Sequence, residues 1–172
     1  PPLKLGLLGR HQGANAAVAV ATVELLRKAG MPISDRAVAK GLAEVRWPAR
    51  IELVSERPAV VLDTAHNVPS VEALVDTLSA CLPVRGRKAV VFAVSSDKQF
   101  PEMLKALAGY FDTIAPHLRP KVHPTAAEAW AAAQTAAQAD DLVCVTGSVF
   151  LAGELQPLLA TPRNSGLTAE GT

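Results

Sequence analysis

The pattern of this 172-residue sequence predicts an α/β fold: a Rossmann-like, mostly parallel sheet with helices on both faces, preceded by a short helical segment. Three observations lead there. Short apolar runs rich in Val and Leu recur about 20 to 30 residues apart from position 59 onward, the length and composition of strands covered on both faces. Helical patterns fill the intervals, and strands joined through helices take right-handed crossovers that make neighbours parallel. Several runs also stop abruptly on polar clusters, as Ala59-Val60-Val61-Leu62 does on Asp63, and in open α/β sheets that edge is where ligands bind.

Taken in order, the chain opens Pro1-Pro2 and enters a strand-like Leu3-Lys4-Leu5-Gly6-Leu7-Leu8 that has no visible partner. It reads as the carboxyl-terminal part of a longer protein. Residues 12–29 are apolar almost all round, which predicts a buried helix, with Arg27 and Lys28 at a favourable basic end and Gly30 as its stop. Ser34 caps a second helix, with Asp35 in its first turn and Val38, Leu42 and Val45 on one face, and Trp47-Pro48 ends it. Ile51-Glu52-Leu53-Val54 alternates as a half-exposed edge strand does. Further strands are predicted at 59–62, 89–94, 111–115 and 142–145, and helices at about 70–82, 100–109, 125–139 and 149–159, the third of these capped by Thr125 with Glu128 three positions on. Residues 1–46 are too few for a domain of their own, 47–160 form the α/β domain, and 161–172 read as a disordered tail.

Composition narrows the function classes. With 17 Lys+Arg against 16 Asp+Glu there is no bulk charge to recruit nucleic acid or an anionic membrane, and 4% aromatic residues leave little on which to stack bases. No apolar run approaches the roughly 20 residues that cross a bilayer, and no signal peptide is visible. Cys81 and Cys144 lie far apart in apolar surroundings and read as reduced, buried thiols of a cytoplasmic protein.

Parallel strands turn their carboxyl ends to one edge, so the segments 63–67, 95–98, 117–119 and 146–148 form one list of candidate site residues. A carboxylate, imidazoles, a lysine and hydroxyls converging there suit a small ligand, with helix amino termini to hold anions; polar turns that merely cap their helices would look the same. Neither a Gly-x-Gly-x-x-Gly fingerprint nor a Gly-Lys-Ser/Thr phosphate loop is present, so the chain cannot cradle a triphosphate by itself. Asp63, His66 and Ser148 make a poor hydrolase triad, because Thr146-Gly147-Ser148-Val149-Phe150 lacks the second glycine of a nucleophile elbow. His117 and His123 bracket prolines with no nearby Cys or carboxylate, which disfavours zinc. Trp47 and Trp130 read as packing residues, and His11 as a hydrogen-bonded structural histidine.

Gly9-Arg10-His11-Gln12 with Asn15, Trp47-Pro48-Ala49-Arg50, Leu62-Asp63-Thr64-Ala65-His66-Asn67, Ser96-Asp97-Lys98 and Thr146-Gly147-Ser148, in this order, resemble the carboxyl-terminal part of folylpolyglutamate synthase/dihydrofolate synthase in the Mur ligase superfamily. The resemblance runs from about Leu7 to Leu159. It implies that 1–46 is the helical tail end of an ATPase domain carrying the phosphate loop, that 47–50 is a hinge, and that the whole protein is a monomeric, cytoplasmic ATP-dependent ligase. That ligase adds L-glutamate to dihydropteroate or folate through an acyl phosphate. Asn15, Arg50 and Asp63 then match positions that contact ATP, His66 a catalytic position near the reacting phosphate or the incoming glutamate, and Lys98 and Ser148 the glutamate site. Mg2+ is held mainly by the preceding domain. Val68 departs from the family, which usually follows the Asn with proline at once; here Pro69 comes one residue later. The alternatives are a non-catalytic nucleotide-binding or interaction module and a Mur-type cell-wall peptide ligase.

Overall fold

The computed structural model describes residues 3–114 and 120–159. Four strands form one sheet in the order β1-β2-β4-β3, with β1 at Glu52–Glu56, β2 at Ala59–Leu62, β3 at Lys88–Phe92 and β4 at Leu142–Thr146. β4 runs parallel to both β2 and β3, and β1 pairs antiparallel with β2 through a short hairpin, with an irregularity between Leu53 and Ser55. The sheet is therefore mostly parallel, as the crossover spacing predicts. The edge strand Ile51–Val54 anticipated from alternation appears as β1, one residue later.

Side-chain alternation along the strands sorts the core into two layers. Val61, Leu142 and Cys144 face one cluster, with Val71, Leu74 and Leu78 of α3 (Val68–Cys81) and Met103 and Leu107 of α4 (Phe100–Ala108). Val60, Leu62, Val143 and Val145 face the other, with Trp130 of α5 (Ala126–Ala136) and Leu151 and Leu155 of α6 (Val149–Leu159). All five residues of β4 are buried, which is why that stretch reads as a continuous apolar run.

Local signals account for the helix ends. Asn67 accepts from the N–H of Ser70 while the Ser70 hydroxyl accepts from the N–H of Asn67, a reciprocal cap, and Pro69 falls in the first turn, where its missing N–H is no loss. Val68 thus begins α3 and the displaced proline is accommodated. Thr125 caps α5 as its sequence predicts, and Ser34 caps α2 (Asp35–Glu44).

Several expectations fail for physical reasons. No strand forms at 111–114. Phe111 is buried against α3 and α4, and Asp112–Ile114 make a 3-10 turn. Asp112 accepts from the N–H of Lys88 at 2.7 Å and the Thr113 hydroxyl from that of Val90 at 3.2 Å, so side-chain oxygens satisfy alternate N–H groups on the open edge of β3. Leu3–Leu8 do not pair as a strand either; the Gly6 N–H donates to the Leu42 carbonyl, so this segment lies against the end of α2.

Helix α1 (His11–Lys28) is not buried. Gln12 alone of its residues is enclosed, and Val18 and Leu25 are about two-thirds exposed. Arg27 anchors its far end, donating to the Ile33 carbonyl and pairing with Glu24 and Asp35. A groove lined by Leu3, Leu5, Ala16, Ala17, Val20 and Leu42 lies along it. Trp47 is exposed rather than packed, and Cys81 is exposed at the end of α3, whereas Trp130 and Cys144 are buried as expected. The expected tail at 161–172 and the candidate segment 117–119 lie outside the described residues.

Removing the edge cap of β3 tests this account. Asp112→Ala and Thr113→Val are each expected to lower unfolding free energy by about 0.5–1.5 kcal/mol. Amide exchange should accelerate at Lys88 and Val90 while β4 stays protected.

Candidate functional site

The carboxyl ends of β2, β4 and β3 bring 63–67, 147–148 and 93–98 to one edge of the sheet. Because β1 is antiparallel and Glu52 lies opposite Leu62, the turn 47–51 arrives at the same edge.

Asp63 is the fixed point there. It is 5% exposed, and its own N–H donates to the Val145 carbonyl at 2.9 Å. Its Oδ2 accepts from the N–H of Ile51 at 2.9 Å and its Oδ1 from the N–H of Ala65 at 2.7 Å, with the Thr146 hydroxyl 3.4 Å from Oδ1. Burial is the largest influence on this carboxyl and raises its pKa; the two backbone N–H groups, the nearby Arg50 charge and Thr146 oppose the rise. Cys144, on the strand beside it, is fully enclosed, and burial pushes its thiol pKa up further than the Asp63 charge does. That thiol is inert.

Arg50 stands in a strained turn. Ala49 has φ of 54° and Ile51 φ of 49°, left-handed values that cost a non-glycine residue roughly 1–2 kcal/mol each. The N–H of Ala49 donates to Glu52 Oε2 at 2.7 Å, and that of Ile51 donates to Asp63. Among the described residues Arg50 forms no ion pair; its guanidinium stands 6.0 Å from the centre of the exposed Trp47 ring.

His66 is exposed, and its Nδ1 lies 2.9 Å from the Thr64 carbonyl oxygen. A carbonyl can only accept, so Nδ1 donates this hydrogen bond, and Nε2 has no hydrogen-bond partner among the described residues. The amino terminus of α3 begins one residue beyond Asn67, adding its partial positive charge to this edge.

The remaining candidates are more loosely held. Ser148 is 8% exposed, and its Oγ accepts from the N–H of Phe150 at the start of α6. Gly147 has φ of 113°, and a side chain there would strike the Ala93 carbonyl and the Phe92 ring, so only glycine lets β4 turn against the end of β3. Lys98 pairs with the neighbouring Asp97 at 3.0 Å on the surface, and that contact holds the Asp97 carboxyl below its ordinary pKa. Asn15 donates to Gln12 Oε1 on α1, and no hydrogen bond among the described residues joins it to the sheet edge. Thus Arg50, Asp63 and His66 share one edge with Ser148 and Lys98, and Asn15 is held on α1 by Gln12.

Sequence reading overlooked Glu52, and placed Thr146 in a candidate segment without giving it a partner. Strand alternation makes Glu52 an outward residue, and Thr146 reads as the first polar residue of a turn; only their partners 3 and 83 residues away reveal what they hold. No group of three or more His, Cys, Asp and Glu able to hold a metal ion occurs among the described residues.

Comparison with known proteins follows the same residues. A profile of the Mur ligase, glutamate ligase domain, family matches residues 49–149. The dihydrofolate synthase/folylpolyglutamate synthase of Bacillus subtilis (strain 168) is 41% identical over 106 residues, 61% of this chain and 24% of that protein. E. coli FolC in complex with DHPP and ADP superposes with a TM-score of 0.78 at 31% identity, covering 91% of this chain and 40% of that one. A bifunctional folylpolyglutamate synthase/dihydrofolate synthase with Mn, AMPPNP and L-glutamate bound superposes with a TM-score of 0.76 at 28% identity, over 92% of this chain and 41% of its own. The chain therefore spans about a quarter of the curated relative and about two fifths of each solved structure.

Asp63→Asn places an amide NH2 against one of two buried N–H donors and is expected to cost about 1–3 kcal/mol. The folded state takes up the Asp63 proton at higher pH than the unfolded chain, so this group subtracts stability as pH rises from 3.8 through the raised folded value. That component of the pH dependence should vanish in Asp63→Asn, as measured by denaturant unfolding at stepped pH.

Proposed function

Because the chain belongs to the Mur ligase family through its glutamate ligase domain, we propose that it is the carboxyl-terminal part of an ATP-dependent ligase that adds L-glutamate to dihydropteroate or a folate. One observation carries this reading. Inside the matched stretch, the turn that carries a guanidinium without an ion-pair partner among the described residues reaches the same sheet edge as the amino terminus of α3 and the exposed His66 ring. Such a set receives an anion.

In the proposed reaction a substrate carboxylate oxygen bonds to the γ-phosphorus of ATP and ADP leaves. The glutamate amine then attacks the acyl carbon, a tetrahedral intermediate forms, and phosphate departs as the amide forms and the amine loses its proton. Arg50 neutralises phosphate charge, an effect worth several kcal/mol once water is excluded. His66 Nε2 meets the reacting phosphate or takes the amine proton. Asn15 serves the nucleotide, as does any lone-pair direction left to Asp63, since a carboxylate offers about four and three donors already approach it. Lys98 and Ser148 hold the glutamate carboxylates.

The described residues do not fit Mg2+: no group of three or more metal-ligating side chains occurs among them, and the Asp63 and Glu52 carboxylates at the edge already accept backbone N–H groups. The ion and the phosphate loop belong to a preceding ATPase domain of the same protein, to which 1–46 form the tail and 47–50 the hinge. The two relatives with nucleotides bound are longer, which supports that division. No helix among the described residues is long and apolar enough to cross a membrane, and we place the whole ligase in the cytoplasm as a monomer.

In the full-length protein, Arg50→Ala should lower kcat at least about 100-fold with little change in thermal midpoint. Unchanged steady-state kinetics with dihydropteroate, ATP and L-glutamate would count against the assignment, and turnover with a nucleotide-linked muramoyl substrate instead would redirect it to cell-wall ligation. Residues 1–172 alone should not hydrolyse ATP.

A further inference from the structure

Arg50 is flanked by two buried residues in left-handed conformation, and the two anchor in opposite layers of the core. Ala49 packs with Val60, Leu62 and Val145, and Ile51 with Val61, Val71 and Cys144. Neither is a glycine, so the turn persists only because its surroundings hold it. What holds it is a carboxylate on each side. Glu52 Oε2 accepts the Ala49 N–H at 2.7 Å, and Asp63 Oδ2 accepts the Ile51 N–H at 2.9 Å. Glu52 lies opposite Leu62 in the β1–β2 ladder, one residue before Asp63, so the two acceptors flank the same end of that ladder. Both carboxylates act on the backbone and leave the guanidinium, with its five N–H donors, unpaired in any salt bridge among the described residues.

We propose that Glu52 is a positioning residue for the transfer reaction: with Asp63 it holds the 49–51 turn in its left-handed geometry and so aims Arg50 at the anionic substrate. This rests on the reading that Arg50 meets phosphate. A displacement of about 1 Å at such a group can cost about 100-fold in rate, so a remote hydrogen bond can govern turnover without touching substrate.

The experiment uses the full-length protein and follows kcat and KM for ATP and L-glutamate alongside thermal melting. Glu52→Ala, which removes the acceptor, and Glu52→Asp, whose shorter side chain keeps the charge but falls short of the Ala49 N–H, should each lower kcat about tenfold or more with less than a twofold change in KM for L-glutamate. Glu52→Gln keeps an acceptor oxygen without charge and should restore most of the rate. Ala49→Gly added to Glu52→Ala should recover part of it, because glycine adopts positive φ without strain. If Glu52→Ala does not fold, the Asp and Gln variants decide the matter. Full activity of Glu52→Asp, or loss in Glu52→Gln equal to that in Glu52→Asp, overturns the proposal. Arg50→Ala separates the two levels. Activity retained there sinks the phosphate-contact reading itself, whereas activity lost there but kept in Glu52→Asp sinks only the positioning role.

Discussion

The edge of this sheet depends on one buried carboxylate. Asp63 leaves the end of β2 and draws in the N–H of Ile51, the N–H of Ala65 and the hydroxyl of Thr146, so it ties the incoming hairpin, its own turn and the end of the central strand to a single point. Burying a charge costs several kcal/mol unless donors surround it, and here two are main-chain groups that the fold itself must place. If the β1–β2 register slipped by one residue, Ile51 would lose that acceptor and Asp63 would be left short of a donor. The carboxylate therefore specifies the register at the point where Arg50 is displayed.

Around that point stability and function pull apart. Two left-handed non-glycine residues, a guanidinium with no ion-pair partner among the described residues and an exposed imidazole are all unfavourable or neutral for folding. They are accommodated because Ala49 and Ile51 bury their side chains in separate layers of the core. The strain is thus confined to a turn whose neighbours on both sides are well packed, which is how a fold keeps a strained edge without loosening its centre.

How far each element could be read from sequence followed how local its cause was. The apolar runs of β2 and β4 and the Thr125 cap rest on neighbours within four residues, and periodicity or spacing reveals them. The stretch 111–115 has a strand's apolar residues, yet Asp112 and Thr113 prefer to cap the β3 edge, a choice that depends on β3 lying 23 or 24 residues away. Helix α1 looks buried because its composition is apolar all round, but composition states a need for cover and not its source. The described residues leave most of that surface open. Trp47 and Cys81 misled in the same manner, since apolar chemistry alone does not tell a packed side chain from an exposed one.

The residues at the candidate site were legible as a set. Polar clusters at the ends of apolar strands pointed to Asp63, His66, Lys98 and Ser148, because strand direction carries those positions to one edge, whereas Arg50 was marked only by the family resemblance and reaches that edge because β1 runs antiparallel. Their roles were not legible. That Asp63 faces inward, and that the strands order as β1-β2-β4-β3 with the first reversed, depend on hydrogen bonds spanning 12 to 83 residues and on a hairpin register, and that Glu52 accepts the Ala49 N–H depends on the left-handed turn between them. A short window of sequence records a residue's chemistry and its periodicity. Which distant donor a carboxylate meets is decided only when the sheet has closed and the two layers have packed.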